Sequence, residues 1–134
     1  MLILSAMLAA AEVPTMTRKQ VDEALYNTVY SGRAGTLLFG PSQYFCGNVR
    51  RKEETARQLR EYRRMEREYV ALGGTMAPNE EQDIWSPPHH TECADQRNAE
   101  REWQIRFDAV GKQLKGMRDL LRRKKMLLAA RPAP

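Results

Sequence analysis

The stretch AEREWQIRFDAVGKQLKGMRDLLRRKKMLLAAR, residues 99–131, decides the fold. Trp103, Phe107, Val110, Leu114, Met117, Leu121 and Leu128 alternate at steps of four and three, interrupted at Lys124. That is the apolar stripe of an amphipathic helix, because residues so spaced fall on one face at 3.6 residues per turn. Thr91 offers an N-cap, and Pro132 and Pro134 stop the element, so the spacing predicts a helix over about 92–130. Gly111 and Gly116 lie inside it, each costing about 1 kcal/mol relative to alanine. A closely packed helix neighbour would account for both.

Two more helices are legible on the N-terminal side. Residues 49–72 open at Asn48 and close at Gly73-Gly74, with Ala56, Leu59, Tyr62, Met65, Tyr69 and Leu72 three or four apart. Residues 15–31 carry Thr17 and Gln20 in capping-box spacing, Val21, Ala24, Leu25, Thr28 and Val29 at helical spacing, and Gly32 as a stop. Between these helices Gly35, Gly40, Pro41 and Gly47 punctuate a loop that Leu37, Leu38 and Phe39 would pin. Residues 75–91 form an acidic linker in which Pro87 and Pro88 exclude helix. The expected fold class is all-α, with one short and two long amphipathic helices.

The chain has 134 residues, 42% of them hydrophobic and 29% charged. A single domain over residues 12–134 with a thin core is expected. A bilayer span takes about 20 apolar residues, whereas the apolar run from Met1 ends before Glu12. Ala9 and Ala11 end that run as a signal peptidase would require, although no basic residue precedes it. Residues 1–11 are therefore read as a signal peptide, the alternative being an apolar arm packed on the domain.

Cys46 precedes the second helix and Cys93 lies at the start of the third. In an exported chain the pair favours a disulfide, and in a cytosolic one two free thiols. A disulfide requires Cα atoms within about 7 Å, yet the second helix is about 36 Å long. In a tight antiparallel hairpin the two cysteines would stand at opposite ends of it. The 20 residues between Leu72 and Cys93 can extend about 60 Å, enough to return along the helix. The expectation is a Cys46–Cys93 bridge from which the two long helices run side by side.

Motifs for chemistry are weak. Gly35 to Ser42 approaches a phosphate-binding loop, but Pro41 replaces the lysine and removes a backbone donor. His89, His90 and Cys93, with Cys46 as a fourth ligand, approach a zinc set, but a second tightly spaced ligand pair is missing, so a plain linker ending in a disulfide cysteine is preferred. Ser5, Ser31, Ser42 and Ser86 lack the glycine context of a nucleophile elbow, and the two histidines are adjacent to each other. A non-enzymatic role is expected, with no cofactor and no small-molecule substrate indicated.

Charge is more informative. Residues 76–92 carry four acids and no lysine or arginine, while residues 109–131 carry eight Lys+Arg and one acid, a local +7 against the chain's net +5. Arg118, Arg122, Arg123, Lys124 and Lys125 are thus candidates for an anionic partner. Leu120, Leu121, Met126, Leu127 and Leu128 beside them suit a lipid surface. Nucleic acid is less favoured because this segment has no stacking aromatic. The alternative is a solvated helix end whose cations complement the macrodipole. The leading expectation is an exported interaction or structural module meeting a protein partner, or itself, through the third helix.

Ala99, Trp103 and Asp108 resemble the helix motif of small exported lysozyme-inhibitor-like proteins over ten residues. Glu100 replaces that motif's glutamine, Arg106 precedes Phe107 where the order should be reversed, and Cys93 precedes the motif instead of following it. The chain is not assigned to that family.

Overall fold

A computed structural model of the chain describes residues 12–33, 40–76 and 91–130. Among these residues there is helix and no strand: α1 (Arg18–Arg33), α2 (Val49–Ala71) and α3 (Gln96–Ala129), with 3-10 turns at Val13–Thr15 and Thr91–Ala94 and helix also at 40–42, within the segment expected to be loop. The all-α class and the three helices expected from spacing are thus present. The predicted signal segment, the loop pinned by Leu37, Leu38 and Phe39, and linker residues 77–90 lie outside the described residues.

The helix ends show why the chain folds where it does. Thr17 and Gln20 form the capping box: the Thr17 amide donates to Gln20 Oε1 at 2.9 Å and the Gln20 amide to Thr17 Oγ1 at 3.2 Å. Asn48 caps α2 by accepting the Arg51 amide at 2.9 Å. At the other end Gly73, with φ of +91°, donates to the Val70 carbonyl, and Gly74 donates to that of Tyr69. This is a Schellman close, for which glycine is suited because it lacks a Cβ.

Two boundaries differ from the sequence reading. α3 begins at Gln96, capped by Asp95 and not Thr91: Asp95 Oδ1 accepts the amides of Arg97 and Asn98 at 3.0 and 3.1 Å. A carboxylate both accepts those bonds and complements the positive end of the helix. Gly32 does not end α1. It is buried one residue before the end, where a Cβ would lie 2.1 Å from Tyr62 Cζ, so the position demands an absent side chain instead of a helix stop.

Cys46 and Cys93 are disulfide-bonded, with Cα atoms 5.5 Å apart. From that bridge α2 and α3 run parallel. Contacts advance together along both: Thr55 meets Trp103, Gln58 meets Phe107, Glu61 meets Arg118 and Glu68 meets Lys125. α1 runs the other way, with Met16 at Arg123, Asp22 at Lys124 and Val29 at Tyr62. Val21, Leu25, Val29, Tyr62, Met65, Tyr69, Val110, Leu114, Met117 and Leu121 are among the residues of the shared core. Tyr44, Ala99 and Trp103 form a second cluster beside the disulfide, with Phe107 stacked on Trp103.

The buried line of α2 is more polar than its apolar spacing suggests. Arg51, Thr55, Gln58, Tyr62, Met65 and Tyr69 face inward, and Ala56 and Leu59 fall at the half-buried edge. Each polar side chain there has a partner, although Arg51 Nε and Gln58 Oε1 are buried without a hydrogen bond. Trp103 Nε1 donates to Thr55 Oγ1 at 3.0 Å, Gln58 Nε2 donates to the Phe107 carbonyl at 3.0 Å, and Arg51 Nη1 donates to the Tyr44 carbonyl at 2.8 Å. The two glycines of α3 are not explained by a close neighbour. A Cβ at Gly111 would make an ordinary 3.7 Å contact with Gln58, and one at Gly116 would meet nothing within 4 Å.

Candidate functional site

The five cations singled out on the last helix divide into two sets. Arg123 and Lys124 turn inward. Arg123 donates from Nε and Nη2 to the Met16 carbonyl at 3.1 and 3.0 Å, and Lys124 is buried with its ammonium on Asp22. The basic end of α3 thus contacts the chain's own N-terminal segment, and Val13 and Leu127 pack against the same core. Leu120 and Leu121 are buried and Leu127 and Leu128 half-buried, while Met126 is exposed. The apolar contact foreseen for lipid is therefore mostly used in the fold.

Arg118, Arg122 and Lys125 point outward, each tied to a neighbouring acid. Arg118 Nη2 meets Glu61 at 2.6 Å, Lys125 meets Glu68 at 2.5 Å, and Arg122 Nη1 lies 3.4 Å from Asp119. The first two ties cross between α3 and α2. The three cations border a groove between those helices that is also lined by Arg64, Met65, Glu68 and Leu121. Its apolar lining, Met65 and Leu121, belongs to the buried core, while Arg64, Arg118, Arg122 and Lys125 are exposed.

The structure adds a set of residues that sequence reasoning passed over. Arg57, Arg60, Arg64 and Arg67 repeat at steps of three and four on α2, so they form a line along the face opposite its core residues. All four are exposed, and none makes an ion pair with another described residue. The signal is present in the spacing, but glutamates interleave with the arginines, and which charges pair is set by the packing of α3. Folding sorts these charges: Glu61 and Glu68 go to the α3 side, where they meet Arg118 and Lys125, and among the described residues no acid pairs with the arginine line.

The remaining sites are simpler. Cys93 is bonded to Cys46, so its sulfur is not a thiolate ligand, and His89 and His90 lie outside the described residues. Among the described residues no three His, Cys, Asp or Glu side chains gather as a metal cluster, and no helix is long and apolar enough to cross a membrane. On α1 a shallow depression is lined by Asp22, Glu23, Tyr26 and Asn27, with the rings of Tyr26 and Tyr30 centred 6.5 Å apart. Near it, burial pushes the Tyr69 phenol above its ordinary value, an effect to which Asp22 and Tyr26 add. Beside the disulfide Arg50 stands 5.1 Å over the Trp103 ring, and its hydrogen bonds to Glu54 and Glu100 raise its pKa.

Comparison with protein-family models, curated proteins and solved structures gives no match, so the functional reading rests on the residues themselves.

Proposed function

We propose that the chain is a small exported interaction protein, a disulfide-stapled helical frame that offers a charged face to a partner instead of a reaction site to a substrate. The observation that carries this reading is the exposed line Arg57-Arg60-Arg64-Arg67, unpaired among the described residues, of which Arg64 borders the α2–α3 groove. Four guanidiniums held on one rigid helix face repel one another unless an anionic partner is present, and arginine's planar fork suits carboxylates and phosphates. The disulfide supports an oxidising compartment, as does the signal-like run of residues 1–11.

Two measurements test the reading. A reporter fused to residues 1–20 is expected to be exported. On a sulfated-polymer column, the chain is expected to elute at higher salt than a variant with Gln at positions 57, 60, 64 and 67. A second variant, losing Lys19, Arg97, Arg101 and Lys112, has the same net charge and is expected to elute near the parent. Equal shifts in the two variants would show that net charge acts alone, and the binding face would be rejected.

A further inference from the structure

We infer that the α2–α3 face docks on a lipid bilayer containing anionic phospholipid, with Arg57, Arg60, Arg64 and Arg67 as its principal contacts; this rests on the binding-face reading above. Ten residues of rise separate the ends of the arginine line, about 15 Å along the helix axis. α3 runs parallel beside it and adds Arg118, Arg122 and Lys125 across the groove. Packed helices lie about 8–10 Å apart, so these three stand near Arg64, which lines the same groove, and the array continues from them onto the outer face of α2. Glu61, Glu68 and Asp119 stand among them, each on a cation of α3. Among the described residues the four α2 arginines carry the excess.

The form of this array selects its occupant. A folded acidic protein would need apolar anchors near the charges, since buried aromatic and aliphatic side chains dominate such interfaces. Here the apolar lining of the groove is at most 2% exposed, Met65 at 1% and Leu121 at 2%. A single-stranded nucleic acid would need stacking rings. The α2 tyrosines Tyr62 and Tyr69 are in the core, and Tyr26 and Tyr30 are on α1. Anionic headgroups need neither feature. They move laterally to meet a row of guanidiniums, and each basic residue near such a surface strengthens binding roughly five-fold.

Sedimentation with vesicles tests this directly. The full oxidised chain is expected to pellet with phosphatidylglycerol–phosphatidylcholine vesicles at low salt, to be released at high salt, and to ignore phosphatidylcholine alone. Replacing the four arginines, Arg57→Gln, Arg60→Gln, Arg64→Gln and Arg67→Gln, should weaken binding about a hundred-fold or more. The charge-matched variant at Lys19, Arg97, Arg101 and Lys112 should bind nearly as the parent does. Glutamine keeps helix propensity close to arginine's, and the helical signal of each variant by circular dichroism checks that it is folded. If the four-site variant does not fold, Arg60→Gln with Arg64→Gln should give an intermediate loss. Undiminished vesicle binding by a folded variant overturns the proposal. Parent binding to duplex DNA or polyglutamate but not to vesicles rejects the lipid while leaving the anion-binding face standing. No binding to any of the three rejects both.

Discussion

Lys124 occupies a core position of α3, 5% exposed, and its ammonium is paired with the Asp22 carboxylate of α1. It is the residue that interrupts the apolar repeat, and the repeat continues through it structurally. Its stem packs with the core while its head crosses to α1. Next to it Arg123 holds the Met16 carbonyl, so two cations from the most basic segment fasten the N-terminal helix.

A buried cation that loses its partner is costly, while replacement of the pair by apolar groups often is not. Asp22→Asn is expected to destabilise the chain by about 1–3 kcal/mol, below the range for a fully buried pair because the Asp22 side chain is 43% exposed. Lys124→Met is expected to lie within about 1 kcal/mol of the parent. Urea unfolding of both variants checks the order. A larger loss for Lys124→Met would mean that the ammonium, and not its stem, holds α1.

The disulfide joins residues 47 apart in sequence. In the chain-entropy model a loop of that length stabilises the fold by about 4 kcal/mol. Cys46→Ser with Cys93→Ser, or reduction of the parent, should lower the urea midpoint by a corresponding amount. Amide exchange should rise first around the starts of α2 and α3. An unchanged midpoint would show that the Trp103–Thr55 and Arg51–Tyr44 contacts hold that end without covalent help.

The glycines of the helices should respond in opposite directions. Gly32→Ala forces a methyl into Tyr62, whose hydroxyl is bonded to Glu66 and to the Val29 carbonyl, and should cost about 1–3 kcal/mol by overpacking. Gly116→Ala meets open space and should stabilise by up to about 1 kcal/mol. Thermal midpoints of the two variants provide the comparison.

Tyr69 should govern part of the alkaline limit. Its phenol is raised above the ordinary 10.0 by burial and by the charges of Asp22 and Tyr26, so the native state favours the neutral form. That contribution is fully present below the unfolded value of 10.0 and is lost as pH rises through the higher folded value. Tyr69→Phe should remove this portion of the alkaline slope. Ultraviolet titration of the parent against Tyr69→Phe should show one phenol ionising late.

Much of the architecture was legible because it depends on local rules. The Thr17–Gln20 box, the Asn48 cap and the Gly73-Gly74 close are each set by a few neighbouring residues. The parallel course of α2 and α3 followed from a distance that a disulfide must satisfy and a linker long enough to satisfy it. What escaped was decided by tertiary partners. Thr55, Gln58 and Arg51 are buried because Trp103, Phe107 and Tyr44 supply partners, which no count of apolar residues reveals. Gly32 reads as a stop until Tyr62 is placed against it. Charge misled most: the basic run of α3 drew attention, whereas folding tied Arg123 and Lys124 inward and left the scattered arginines of α2 facing out.

The parallel helices and the proposed compartment both rest on Cys46 being joined to Cys93. The most direct measurement is the number of free thiols per chain in protein taken from its native host, quenched with acid, denatured and then titrated. None is expected before reduction and two after it. Two thiols before reduction would contradict the bridge, and with it the oxidising compartment.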